Sequence, residues 1–266
     1  MSDRRLLAEL AELAHAVAAQ AAALLTRPGA DLAVSTKTSP TDVVTAMDTA
    51  AERLIRRLLA QARPDDAVVG EEGRDHAGSS GVRWVVDPID GTVNYLYGLP
   101  GWSVSVGAQV DGVPAVGVVV VPGWSETFAA VAGQGATCNG ERLAVRAAVP
   151  LAEALVATGF GYASSRRAAQ AGVLASLLPA VRDIRRAGAA SVDLCSVAAG
   201  RLDAYYERGL QPWDHAAGAL VAREAGARVG GLRGAAEGAD MLVAAPPGLF
   251  EPLADLLAEL GADTGD

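Results

Sequence analysis

Apolar residues recur every three or four positions near the start of the chain, at Leu6, Leu7, Leu10, Leu13, Val17, Ala21 and Leu24. That spacing predicts a helix with one buried face over Asp3 to Thr26, closed by Pro28-Gly29. Ala30 to Pro40 is polar and reads as a flexible connection. A second helical pattern covers Thr45 to Ala60, with Leu54, Ile55, Leu58 and Leu59 on one face and Arg56 and Arg57 on another. Pro64, Asp65 and Asp66 then predict a turn before a short strand, Ala67 to Gly70. The period shortens to that of a sheet in Val82 to Val86, Ser103 to Val110, Val113 to Val121 and Thr127 to Val131. Asp111-Gly112 between two of these runs is a hairpin signal.

From about Pro150 strands and helices alternate. Strands are predicted at Ala154 to Thr158, Val181 to Arg185, Asp203 to Glu207 and Met241 to Ala244. Helices are predicted at Arg166 to Ala180, Ser191 to Ala199, Pro212 to Ala225 and Gly248 to Leu260. An antiparallel first half followed by alternating elements implies a layered α/β (α+β) sandwich. No linker separates domains, so residues 1–266 are expected to form one catalytic unit. Its sub-domains, approximately 1–145 and 146–266, would share a cleft.

The chain's 266 residues are 51% hydrophobic and 20% charged, a globular composition, and the net charge is −9. Proteins that live on phosphate-backbone contacts are usually basic, so nucleic acid is not the expected partner. A local basic patch at Arg182, Arg185 and Arg186 remains compatible with this. An acidic protein that handles an anionic substrate needs local positive charge, and bound cations are the usual source. Cys138 and Cys195 form no CxxC pair, which fits free thiols. The first helix is interrupted by Glu9, Glu12, His15 and Gln20, so neither a secretory nor a transmembrane segment is expected. The expected location is the cytoplasm, without a membrane partner.

Four stretches place carboxylates beside turn residues: Thr45 to Asp48, Gly70 to Gly73, Asp87 to Thr92, and Trp213-Asp214. In Asp87-Pro88-Ile89-Asp90-Gly91-Thr92, a strand delivers Asp87, Pro88 bends the chain and Gly91 permits an unusual backbone conformation before a helical turn. N–H groups at a helix start attract anions. Two carboxylates there would repel a phosphate unless a hard cation such as Mg²⁺ lay between them. Each stretch also has an ordinary reading. Asp90 and Asp48 could cap helices, Asp214 could answer a helix dipole, and Glu71 and Glu72 could be solvated. A calcium loop requires Glu at the twelfth position from Asp87, where Gly98 stands. An aspartyl-phosphate motif has one residue between its acids, whereas two intervene here.

Together the stretches Ser39 to Asp48, Gly70-Glu71-Glu72-Gly73, Trp84 to Asn94, Gly98-Leu99-Pro100, Asp203 to Glu207, Trp213 to Gly218 and Glu224-Ala225-Gly226 resemble the inositol monophosphatase family over nearly the whole chain. The likeness is closest to its bacterial, actinobacterial-type members. The resemblance implies an αβαβα sandwich and two to three Mg²⁺ ions. Glu71, Asp87 and the carbonyl of Ile89 would hold the first ion, and Asp87, Asp90 and Asp214 the second. Glu71 would share a third. Asp48 and Thr92 would activate water, with Glu71 part of the catalytic set. Gly91 and Thr92 would bind phosphate through their N–H groups. Asp90, Glu207, the Ala190 N–H and Lys37 would face the substrate. Tyr205 and Tyr206 read as packing, Trp213 as a shield for the metal floor, and His215 as a helix-surface residue.

The function this implies is Mg²⁺-dependent hydrolysis of a small phosphorylated polyol, with myo-inositol 1-phosphate leading. The alternatives on the same scaffold are histidinol phosphate, fructose 1,6-bisphosphate and a 3′-phosphoadenosine nucleotide. A regulatory binding protein on a retained phosphatase scaffold, or a silent metal-binding module, would be a different class. Family likeness also implies lithium sensitivity and a homodimer.

Overall fold

A computed structural model describes residues 2–27, 34–36 and 43–264. The elements run α1 (Ser2–Leu25), β1 (Val34–Thr36), β2 (Val43–Thr45), α2 (Ala46–Ala62), β3 (Ala67–Gly70), β4 (Val82–Asp90), α3 (Thr92–Leu96), β5 (Ser103–Val110), β6 (Val113–Val121), β7 (Glu126–Val131), β8 (Gly135–Cys138) and β9 (Glu141–Arg142). They continue as β10 (Leu155–Thr158), α4 (Ser164–Leu177), β11 (Asp183–Arg185), α5 (Ala190–Ala198), β12 (Ala204–Glu207), α6 (Pro212–Glu224), β13 (Arg228–Gly230), β14 (Leu242–Ala245) and α7 (Pro247–Glu259). Lys37 lies outside the described residues, as does the Ser39 to Asp42 part of the family-like stretch.

Strands β3 to β9 form a seven-stranded sheet in sequence order, and a five-stranded sheet runs β11-β10-β12-β14-β13. Strand alternation assigns each face to a different helix pair. On one face of the large sheet, Trp84, Val86, Val104, Val106 and Val118 pack with Leu10, Val17 and Ala21 of α1 and Ile55 and Leu59 of α2. Its other face turns Val119, Val121 and Phe128 toward Val192 and Cys195 of α5 and Ala217, Leu220 and Val221 of α6. The far side of α5 and α6 meets Ala157, Tyr205, Leu242 and Ala244 of the small sheet. The remaining face of that sheet, with Val156, Tyr206 and Val243, is covered by Leu177 of α4 and Leu249, Phe250, Leu253 and Leu257 of α7. The result is the expected αβαβα order.

Helix α6 lies tightly on the large sheet because Gly117 of β6 has no side chain. A Cβ there would fall 2.6 Å from the carbonyl oxygen of Ala217. That close approach carries the start of α6, with Asp214, toward the strand that bears Asp87.

The Asp111-Gly112 hairpin forms as its sequence predicts, with both residues at positive φ (50° and 80°). The small β1–β2 pair and three further strands go beyond the sequence pattern. The β8 and β9 strands are short and punctuated by Gly133, Gly135 and Asn139-Gly140, and β13 has three residues, so none shows alternation long enough to read. The predicted Arg166 to Ala180 helix gives way to a single 3₁₀ turn at Leu178–Ala180, where Pro179 stands. Among the described residues, α1 is the one helix whose length and mean hydropathy of 1.2 would let it cross a membrane. Here Leu10, Ala14, Val17, Ala18, Ala21 and Leu25 on its inner stripe are buried in the first core.

Candidate active site

Strand β4 does not stop at Val86 as its pattern suggests. It continues through Pro88 to Asp90, because the chain bulges. Asp87 pairs with Ser105 and Asp90 with Ser103, so three steps along β4 match two along β5. One extra residue on one strand is a β-bulge. It offsets the alternation, so Asp87 and Asp90 both face a single cavity although two residues separate them. Pro88 is tolerated there because a bulge relieves the need for its missing N–H. The Asp87 Oδ1 accepts the Ile89 N–H at 2.9 Å, which stiffens the loop.

Gly91 follows at φ 90°, ψ 43° and caps α3 without a side chain. A Cβ at this position would meet Ala189 Cβ at 3.1 Å, Gly188 O at 3.2 Å and Gly101 O at 3.3 Å. Both conformation and space therefore call for glycine. Asp90 caps nothing in α3. It reaches α5 instead, accepting the N–H of Ala190 at 3.2 Å and both the N–H and the Oγ–H of Ser191 at 2.7 and 2.5 Å. Those bonds satisfy the orphan donors at the start of α5, a hundred residues away.

Asp48 joins two tasks that were alternatives in the sequence. Its Oδ2 accepts from the N–H and the Oγ1–H of Thr45 at 2.8 and 2.6 Å, closing the capping box of α2. Its Oδ1 lies 3.1 Å from Thr92 Oγ1, which can donate either to it or to the Ile89 carbonyl, also at 3.1 Å. Asp48 is fully buried behind Thr92, and Thr92 opens onto the cavity. Asp214 likewise closes the capping box of α6 through the Gln211 N–H at 2.7 Å, while lining the cavity.

The cavity encloses about 400 Å³. Glu71, Asp87, Asp90 and Asp214 line it together with Ile89, Gly91 and Thr92. Burial holds Asp87 well above the ordinary carboxylate range, and Glu71, Asp90, Asp214 and Asp48 push it in the same direction. Asp214 is also raised well above that range, by burial and then by Asp90. Asp90 reaches only about 6, because its bonds from Ser191 offset part of the burial. Crowded carboxylates with few compensating donors call for a cation. The donors are all oxygen, which suits Mg²⁺ over softer metals. Among the described residues they do not converge into a closed cluster of three. Asp87, Asp90 and Asp214 lean instead on separate backbone donors, from Ile89, from Ala190 and Ser191, and from Gln211.

Glu207, Arg166, Arg186 and Arg208 line the same cavity. Tyr205, expected as packing, is more than that. Its hydroxyl donates to Glu207 Oε2 at 2.6 Å. Tyr205 and Glu207 are two apart on β12 and therefore share a face, a signal the sequence carried. Burial raises Glu207 to about 7, with Tyr205 and Arg186 opposing the rise. Asp193 lies behind it, buried and raised well above its ordinary range by burial and then by Glu207. Neither Asp193, Arg186 nor Ser191 stands out in the sequence as a site residue. A serine and an acid opening a helix after Gly188 were the available hint. The Ala190 N–H, expected to serve substrate, is spent on Asp90. Trp213 lines the cavity, whereas His215 turns to a separate crevice beside Gln109, Pro114 and Glu237, as a residue one helical step on should.

The chain's similarity to known proteins extends over nearly its whole length. The sequence model of the inositol monophosphatase family matches residues 6–261. The chain is 48% identical over 267 residues to the inositol-1-monophosphatase of Mycobacterium bovis, covering 92% of each protein. It is 42% identical over 197 residues to the Nus factor SuhB of Pasteurella multocida, covering 73% of this chain and 74% of that one. The solved structure of Mycobacterium tuberculosis SuhB superposes with a TM-score of 0.80 at 45% identity, covering 95% and 97% of the two chains.

Proposed function

The chain belongs to the inositol monophosphatase family of phosphatases, and from that premise we propose that it hydrolyses a small phosphate monoester, with myo-inositol 1-phosphate the leading substrate, by Mg²⁺-dependent in-line attack of water. One observation carries the reading. Four carboxylates from three segments, Glu71, Asp87 with Asp90, and Asp214, face one cavity beside Thr92, which is backed by the buried Asp48.

In this reading Glu71, Asp87 and the Ile89 carbonyl would hold one Mg²⁺. Asp87, Asp90 and Asp214 would hold a second, and Glu71 would contribute to a third. Bound Mg²⁺ would offset phosphate charge and make a water easier to deprotonate. Thr92 Oγ1 takes a proton from the attacking water as it passes its own to Asp48 Oδ1. The N–H groups of Gly91 and Thr92 orient the phosphate, since first-turn N–H groups have no acceptor within their helix. Asp90 already accepts three hydrogen bonds, which leaves it room for an ion but little for a substrate hydroxyl. Glu207, fixed by Tyr205, is the better acceptor for hydroxyls of the leaving alcohol.

The three guanidiniums of Arg166, Arg186 and Arg208, which line the cavity with Glu207, disfavour a substrate with a cationic amine, and so weigh against histidinol phosphate. A Mg²⁺-dependent phosphate-release panel tests the choice, with inositol 1-phosphate, histidinol phosphate, fructose 1,6-bisphosphate and adenosine 3′,5′-bisphosphate under identical conditions. Inositol 1-phosphate is expected to turn over fastest. Faster release from another ester reassigns the substrate, and release from none refutes the catalytic reading. The homodimer, the cytoplasmic location and inhibition by Li⁺ belong to the same proposal. Sedimentation at micromolar concentration and turnover in millimolar Li⁺ test the first and last. A second reading, a regulatory binding protein, draws on the Nus factor name of a relative. Asp87→Asn separates the two, because it should abolish hydrolysis and leave binding by a scaffold intact.

A further inference from the structure

Helix α2 carries more of the site than Asp48. Asp48, Glu52 and Arg56 are four apart and share one face of the helix. Glu52 is 2% exposed. Its Oε1 accepts from Arg56 Nε at 2.7 Å, and its Oε2 accepts the backbone N–H of Glu72 at 2.7 Å. Arg56 also donates to the Val68 carbonyl of β3 at 3.4 Å. The pair thus ties α2 to both the strand and the turn that deliver Glu71.

The turn itself is shaped around this carboxylate. A Cβ on Gly70 would fall 2.9 Å from Glu52 Oε1. One on Gly73 would fall 2.5 Å from Glu52 Oε1 and 2.7 Å from Arg56 Nε. The two glycines on either side of Glu71-Glu72 therefore leave room for a single buried acid. A buried ion pair adds little net stability compared with apolar packing of the same volume. A pair kept here, one helical turn below Asp48 and against the Glu71 turn, is better explained by what it holds in place.

We propose that Glu52, with Arg56, is a positioning residue that clamps the Gly70–Gly73 turn so that Glu71 is presented to the cavity in a fixed geometry. The proposal rests on the reading of Glu71 as a metal ligand. Helix α2 then orders two parts of the site at once, the Asp48–Thr92 pair and the Glu71 turn. Gln at position 52 keeps the shape but has one acceptor in place of two. Either the Glu72 N–H or the Arg56 guanidinium would then face an amide donor.

The test is Mg²⁺ titration by calorimetry on the protein stripped of metal, comparing wild type, Glu52→Gln, Gly73→Ala and Asp87→Asn. Glu52→Gln and Gly73→Ala are expected to weaken Mg²⁺ binding at least tenfold. At saturating Mg²⁺ they should keep the wild-type substrate KM, because Glu207 and the Tyr205 that holds it are untouched. A purely structural role would lower Tm and leave Mg²⁺ affinity alone. Mg²⁺ affinity within twofold of wild type in Glu52→Gln, with Asp87→Asn no longer binding, overturns the clamp alone. Undiminished Mg²⁺ binding by Asp87→Asn overturns the metal reading and the clamp with it. Hydrogen exchange on the unmodified protein needs no variant to fold. The Glu72 amide is expected to exchange slowly despite its place in a turn, and rapid exchange there overturns the clamp.

Discussion

Replacing Gly91 with Ala tests whether the backbone between Asp90 and Thr92 is as constrained as its geometry indicates. The residue sits at φ 90°, ψ 43°. Holding an L side chain in the left-handed region costs about 1–2 kcal/mol. The new methyl would also lie 3.1–3.3 Å from Ala189 Cβ and from the carbonyl oxygens of Gly188 and Gly101. Relieving such overpacking typically costs about 1–3 kcal/mol. A stiffer unfolded chain returns about 0.4–1 kcal/mol. The net expectation is a loss of roughly 2–4 kcal/mol, or about 5–15 °C in Tm for a chain of this length. Relaxation would displace Asp90 and Thr92, and a shift of about 1 Å at reacting groups can cost on the order of 10²-fold in rate. Gly112 supplies the control. It has φ 80°, but a methyl added to it would meet nothing within 4 Å, so Gly112→Ala should lose only the backbone part and keep full turnover. Thermal melts and phosphate release on both variants make the comparison. If Gly91→Ala matches Gly112→Ala in both, the close contacts do not govern the site.

Three further outcomes follow from the same geometry. Asp90 binds its proton more tightly folded, at about 6, than at its ordinary 3.8. Metal-free protein should therefore lose about 3 kcal/mol from this group as pH rises from about 4 to 6, by roughly 1.4 kcal/mol per pKa unit. Urea melts in chelator that gain stability over that window would contradict this, and added Mg²⁺ should shrink the loss. Asp48→Asn leaves one acceptor for both the Thr45 cap and Thr92, so kcat should fall about 10²–10⁴-fold while Mg²⁺ affinity stays near wild type. Equal losses in both would argue against a proton-transfer role. Tyr205→Phe removes the hydroxyl that holds Glu207 and should raise substrate KM severalfold with little change in kcat, whereas an unchanged KM would free Glu207 from substrate recognition.

Much of this fold is legible because its signals are local. The Asp111-Gly112 turn needs positive φ at both residues, and the flanking valine-rich runs leave no other pairing. The stripe from Leu6 to Leu24 reads as a buried helix because its period is sustained. The acids of Asp87 to Thr92 are equally local. What joins them is not. Asp90 looks like a cap for the helix beside it, yet its donors belong to α5, and no pattern within a few residues encodes that partner. The bulge in β4 escapes detection for a similar reason, since it exists only against the register of β5. Glu52 carries no local signal of a role, which exists only once the Gly70–Gly73 turn folds against it. The ordinary cap reading of Asp48 is also true, and Asp214, read as a dipole partner, closes a capping box as well, because a carboxylate has two oxygens and each here has one committed to a cap.

The extra residue in β4 makes this part of the chain sensitive to length in a way that substitutions do not reveal. Facing along a strand is a matter of odd and even, and β4 resets that count once, between Asp87 and Asp90. Adding one residue there would turn Asp90 to the far side of the sheet. Removing Pro88 or Ile89 would restore an even step between the two acids but draw Gly91 and Thr92 back by about 3.3 Å, one strand residue. Thr92 would leave Asp48, and Asp90 would leave the start of α5. The hairpin loop at Asp111-Gly112 can lengthen toward solvent, but the interval from Asp87 to Asp90 admits a single length.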